Sequence, residues 1–193
     1  MNTIQACMDA SGMLLTENAR KNGIKKHEFY QFVQSHQFEK LAHGIYLSPD
    51  AWEDESYVLH MRYPQAVFSH DEALYFHDLV DREPLQPTVT LYSGYNTKTL
   101  KASGIKVYTV KKDLLPLGRI MVTNSFGHEI PMYDLERTIC DLVRSRSHFE
   151  FQDFQSALKR YAKRKDKDLN KLMQYAKQFR VQNVLKNYLE VLL

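Results

Sequence analysis

Between Thr16 and Ser48 the apolar positions change spacing twice, and each change predicts an element. Thr16 can cap a short helix, Glu17–Lys21, by accepting a backbone N–H bond. Asn22-Gly23 then stops that helix, since both residues tolerate a left-handed backbone. A second helix is expected over Lys26–His36, with Ile24, Phe29, Phe32 and Val33 facing inward at helical spacing. Phe38–Leu41 and Ile45–Leu47 alternate like strands around Ala42-His43-Gly44, a hairpin tip with Gly where positive φ is needed. Helix, tight turn, helix and hairpin make up the winged helix-turn-helix layout.

The rest of the chain follows the same logic. Residues 2–10 read as a first helix, with Ile4, Cys7 and Met8 on one side. Asp54–Tyr63 reads as a helix ended by Pro64, and Val67-Phe68 as a short apolar run. Ser69-His70-Asp71-Glu72 has capping-box form before the helix Ala73–Leu79. Pro84 and Pro87 in the stretch Asp81–Pro87 mark the expected domain boundary. Beyond it come four short β-prone runs, Thr88–Tyr92, Ile105–Val110, Arg119–Thr123 and Glu129–Tyr133. Four helices close the chain: Leu135–Arg146, Phe151–Arg164, Lys167–Phe179 and Val181–Leu192. The expected fold class is therefore α+β. A winged helix-turn-helix domain over 1–84, with two extra helices, precedes a domain over 85–193 with a small, mostly antiparallel sheet and C-terminal helices.

Composition narrows the classes. A hydrophobic share of 44% and a charged share of 25% over 193 residues suit an ordinary globular protein. No run of about 18 apolar residues predicts a membrane span, and the start MNTIQACMDASGMLL lacks signal-peptide form, so a cytoplasmic protein is expected. Cys7 and Cys140 read as reduced core residues, and no Cys/His spacing suggests a metal. The net charge of +3 is unevenly spread: residues 49–93 carry −7, while 151–193 carry +6. Such asymmetry speaks to partners rather than to fold.

Two stretches could carry chemistry. The polar face of the second helix offers Lys25, Lys26, His27, Tyr30, Gln31 and Gln34, with His43 in the hairpin. Lys can reach phosphate or guanine, and Gln can bond adenine in two places, so the face suits the major groove. Lys26 and His27 lie at the helix N-terminus, where its dipole favours anions. A weaker candidate is the basic run Lys159, Arg160, Lys163, Arg164 and Lys165, which is either a solvated face or a second phosphate-binding surface. Around Asp134 the acids suggest no metal. Asp134 should cap a helix, Glu136 should be exposed, and Arg137 should pair with Asp141 at i,i+4. Of eight histidines, His27, His36 and His43 lie in the second helix and hairpin as candidate phosphate donors. His60, His70 and His77 have no Ser or Cys partner at a recognisable elbow, and phosphate-cradling Gly loops are absent. The chain is expected not to be an enzyme and to need no cofactor.

An ordered set of motifs goes further. HGIYLSPDAW at 43–52, VFSHDEALYFHDLVDREP at 67–84, YDLERTICDLVR at 133–144 and RKDKDLNKLMQYAKQFRV at 164–181 resemble the AbiEi family over nearly the whole chain. Lys25 stands where a Ser or Thr cap is more usual. The resemblance implies an antitoxin of a type IV toxin–antitoxin system, linked to abortive phage infection. It also implies a transcriptional repressor that binds inverted repeats in its own promoter through the winged domain. The functional partner would be a nucleotidyltransferase-like AbiEii toxin, with no stable complex between the two. A monomer in solution that binds double-stranded DNA cooperatively is expected, since no long apolar heptad argues for a dimer. The competing expectation is a protein-interaction module that neutralises a partner toxin by direct contact.

Overall fold

Met13-Leu14-Leu15 is too short to announce itself as a strand, yet it sets the N-terminal architecture. In the computed structural model, which describes residues 4–192, it forms β1 (Met13–Leu15). It is followed by α1 (Thr16–Lys21), α2 (Lys26–Ser35), β2 (Glu39–Ala42), β3 (Ile45–Leu47) and α3 (Glu55–Arg62). The strands make an antiparallel sheet in the order β1-β3-β2, with Leu14 opposite Tyr46 and Lys40 also opposite Tyr46. Successive side chains of a strand point to opposite faces. Leu14 and Tyr46 therefore join Ala19, Phe29, Phe32 and Val33 on the α1–α2 side, while Met13, Leu15 and Ile45 meet Val58 of α3 on the other. Both faces are covered, which is why β1 and β3 are buried throughout.

Three local expectations at this end are corrected. The helix expected over 2–10 is one 3₁₀ turn, Gln5–Cys7, after which Met8 bridges to Leu14; Asn2 and Thr3 lie outside the described residues. Asp9 diverts the chain, its carboxylate accepting from the N–H groups of Ser11 and Met13. Thr16 does not cap α1: Leu15 holds the cap position, and the Thr16 hydroxyl is buried without a hydrogen-bond partner among the described residues. Ser69 does not cap the helix after it either. Its hydroxyl is spent on Thr90 at 2.8 Å, and His70 holds the cap position with φ +52.

The second unit contains β4 (Val67–Phe68), α4 (Asp71–Phe76), β5 (Thr88–Tyr92), α5 (Lys98–Ala102), β6 (Lys106–Val110), β7 (Arg119–Thr123), β8 (Glu129–Tyr133), α6 (Leu135–Arg144), α7 (Phe151–Lys163), α8 (Leu169–Gln178) and α9 (Gln182–Leu192). Its five-stranded sheet runs β6-β5-β4-β8-β7 and is mixed rather than mostly antiparallel. β4 and β5 are antiparallel, but β5–β6 and β4–β8 are parallel. The short helix α5, absent from the sequence expectation, returns the chain to the starting end of β5, so β6 pairs with it in parallel. The protein is thus α+β, with a small antiparallel sheet, a mixed sheet and helices.

The two units are residues up to Pro64 with 123–130, and residues 65–122 with 131–193. The division falls at Pro64/Gln65, upstream of the 84/85 boundary expected from the prolines, because β4 and α4 belong to the second sheet and its core. Helix α6 is the centre of that core. Every residue from Leu135 to Val143 is buried, and the helix packs on α4, α7, α8 and α9. Each fully buried Leu or Val there contributes roughly 1.5–3 kcal/mol. Asp134 caps α6 as expected, accepting from the Arg137 N–H at 2.8 Å. Glu136, expected at the surface, is buried: it accepts from the Asp168 N–H at 3.0 Å and lies 3.4 Å from Lys171. No helix among the described residues is long and apolar enough to cross a membrane.

Candidate nucleic-acid interface

Helix α2 is amphipathic by residue spacing alone. At about 100° per residue, Lys26, His27, Tyr30, Gln31 and Gln34 fall within an arc of about 140°. Phe29, Phe32 and Val33 occupy an opposing arc of about 100°. The burial follows: the three apolar residues are in the core, and all five polar ones are exposed. Lys25, also exposed, precedes the helix in extended conformation at its cap position, with φ −71 and ψ 146.

The face is partly braced and partly free. Tyr30 sets its ring edge-on to Phe29 and Tyr46, at centroid distances of 5.4 and 6.2 Å. Burial and then the hydrogen bond to Tyr30 push the Tyr46 hydroxyl above its ordinary range. Tyr30 is therefore pre-positioned at 39% exposure, an aromatic with a polar tip. Among the described residues Gln31 and Gln34 make no side-chain hydrogen bond, which leaves both amides available. His27 lies 3.9 Å from Glu28.

His43 stands exposed at the β2–β3 turn, where Gly44 has φ +77. The Thr16 N–H donates to the Gly44 carbonyl at 2.9 Å, which pins the turn to the start of α1. Between them lies a groove of about 450 Å³, lined by Thr16, Arg20, His43, Gly44 and Met61 among others. A second hollow of about 150 Å³ separates α1 from α2 and is lined by Arg20, Lys26 and Phe29. Arg20 borders both and is exposed, a cation that the sequence reading did not single out. The available signal was its place in the last turn of the helix before the tight turn.

The second candidate run is not one free surface. Arg160 is paired with Asp81, and Arg164 chelates Asp166 while donating to the His77 carbonyl at 2.7 Å. Both guanidiniums hold loops of their own unit. Lys159, Lys163 and Lys165 remain exposed, with no ion pair among the described residues.

No protein-family model matches the chain, and no curated protein matches it. Among solved structures it is similar to the RV2827C protein from Mycobacterium tuberculosis, with a TM-score of 0.63 at 11% identity. The match covers 96% of this chain and 75% of that one. At that identity the likeness is one of fold.

Proposed function

We propose that the N-terminal unit is a winged helix-turn-helix in which α2 is the reading helix and the β2–β3 hairpin the wing. One observation carries the reading: Lys26, His27, Tyr30, Gln31 and Gln34 share the solvent face of α2, opposite the buried Phe29, Phe32 and Val33. Cations near the helix start serve phosphates, and free Gln amides further along serve base edges. Arg20 and His43 flank the helix and suit backbone contacts. Together with the AbiEi-like motifs, this supports a repressor of its own operon that binds inverted repeats. The same chain would be the antitoxin of a type IV system whose toxin is a nucleotidyltransferase-like enzyme.

The test is a gel-shift titration on the DNA upstream of the gene, at two salt concentrations. It compares wild type with a Lys26→Ala/Gln31→Ala variant. Tight, salt-sensitive binding that resists random competitor and is lost in the variant supports the reading. Equal affinity for operator and random duplex overturns it and leaves the unit as a protein-interaction module.

A further inference from the structure

From Pro84 to Lys112 the chain contains no Asp or Glu and five lysines: Lys98, Lys101, Lys106, Lys111 and Lys112. This segment is β5, α5 and β6. Because the two strands are parallel and Tyr92 pairs with Val110, their carboxyl ends lie side by side. Ser93 fixes that edge, its N–H and hydroxyl both donating to the Val110 carbonyl at 2.7 and 3.1 Å. Lys111 and Lys112 leave β6 beside the Ser93–Thr97 loop, which leads directly into Lys98 at the start of α5. Lys101 lies three residues further on, on the same helix face.

Lys106 sits at the opposite end of β6 and is paired with Asp71 at 2.8 Å. The other four are exposed and make no ion pair among the described residues. Two aromatic rings lie among them. Tyr92 and Tyr95 are half-buried and meet edge-to-face at 5.5 Å, and the Lys112 ammonium lies 5.6 Å from the Tyr92 ring centre.

We propose that Lys98, Lys101, Lys111 and Lys112, with Tyr92 and Tyr95, form a binding surface for single-stranded nucleic acid. The lysines would track the phosphates, and the tyrosine rings would receive unstacked bases. Paired bases offer such rings no open face, so the combination favours an unpaired strand over a duplex. The proposed surface uses none of the α2 residues and does not rest on the reading of that helix.

The test uses the full chain carrying Lys26→Ala and Gln31→Ala, so that the α2 face is silent. Fluorescence anisotropy follows binding of a 15-mer oligo(U), a 15-mer oligo(dT) and a 15-bp duplex over a series of salt concentrations. The single strands should bind at least about tenfold tighter than the duplex. Replacing all four lysines by Gln should flatten the slope of log affinity against log salt by about 2.8, and Lys111→Gln/Lys112→Gln alone by about 1.4. Tyr95→Ala should weaken binding several-fold at every salt concentration, without changing the slope. The proposal is overturned if no strand binds, if the slope is unmoved by the lysine changes, or if duplex and single strand bind equally.

Discussion

Arg137 and Asp141 lie one turn apart on α6, both fully buried, with Nε and Oδ2 3.0 Å apart. The guanidinium lies 3.8 Å from the Tyr133 ring centre and 4.1 Å from that of Phe179, and donates to the carbonyls of Leu114 and Leu117 at 2.9 and 2.6 Å. One side chain thereby ties the loop before β7 to the core helix. Burial pushes the Asp141 carboxyl up, and Arg137 and Arg144 pull it back toward the charged form. Asp141→Ala would leave the arginine buried without its counter-charge and should cost about 3–5 kcal/mol, read as a fall in urea midpoint. Replacing both by apolar residues of similar size, Arg137→Met with Asp141→Leu, should recover part of that loss.

Gly118 adds a steric test of the same junction. Its φ is +76, and a Cβ there would come within 2.5 Å of the Arg137 Cβ. Gly104 has φ +80 with open space around it. Gly104→Ala should therefore cost only the left-handed penalty of roughly 1–2 kcal/mol. Gly118→Ala should cost clearly more, and thermal unfolding of the two variants side by side checks the order.

Glu72 gives the protein a pH dependence of defined sign. Burial first, then the charges of Glu83 and Asp71, push its carboxyl up to about 7. An acid whose pKa is raised on folding holds its proton longer in the native state. Stability must therefore fall as pH rises from about 4.5 through 7, by at most about 3 kcal/mol. His70 works in the opposite sense. Buried between the hydroxyls of Ser69 and Ser145, it resists protonation, so it lowers stability as pH drops below 6.5. Glu72→Gln should remove the loss on the alkaline side alone. The unfolding midpoint at pH 8 should rise relative to that at pH 5 in the variant, compared with wild type.

On α2, two substitutions should separate positioning from reading. Lys26→Ala should weaken operator and random duplex alike and flatten the salt slope by about 0.9. Gln31→Ala should cost about 1–3 kcal/mol on the operator and much less on random duplex. Equilibrium binding on both duplexes distinguishes the outcomes.

What the sequence made legible was whatever local periodicity controls. The apolar stripe of Phe29, Phe32 and Val33 defined α2 and, by exclusion, its solvent face. Asp134 announced the start of α6, since a capping acid before an apolar run acts within three residues. The misses share a longer reach. Glu136 looks like a surface acid until Lys171 and the Asp168 N–H arrive from α8. Ser69 has capping form, but Thr90, on another strand, claims its hydroxyl. β1 and α5 are too short to carry a period, and without α5 the parallel pairing of β5 and β6 could not be inferred. Arg20 had one local signal, its place in the last turn of α1, and the groove beside it gives that signal meaning.

The segment 123–130, between β7 and β8, belongs to the N-terminal unit. Within that unit His128 lies 2.6 Å from Asp54 and 3.2 Å from Asp9, stacks on Tyr57 at 4.0 Å, and is joined by Asn124, which donates to Asp54 at 2.7 Å. Asp54 in turn caps α3 through the Tyr57 N–H at 3.0 Å. The first unit to emerge from the ribosome is thus not finished until residue 130, after residues 65–122 of the second unit have been made. The second oxygen of its capping carboxylate waits for a histidine encoded long after Pro64, and most of the second unit's sheet must be synthesised in between. Any fragment cut at Pro64 would leave a nearly buried carboxylate without its two side-chain partners, so the pieces are not interchangeable modules but one interleaved polypeptide.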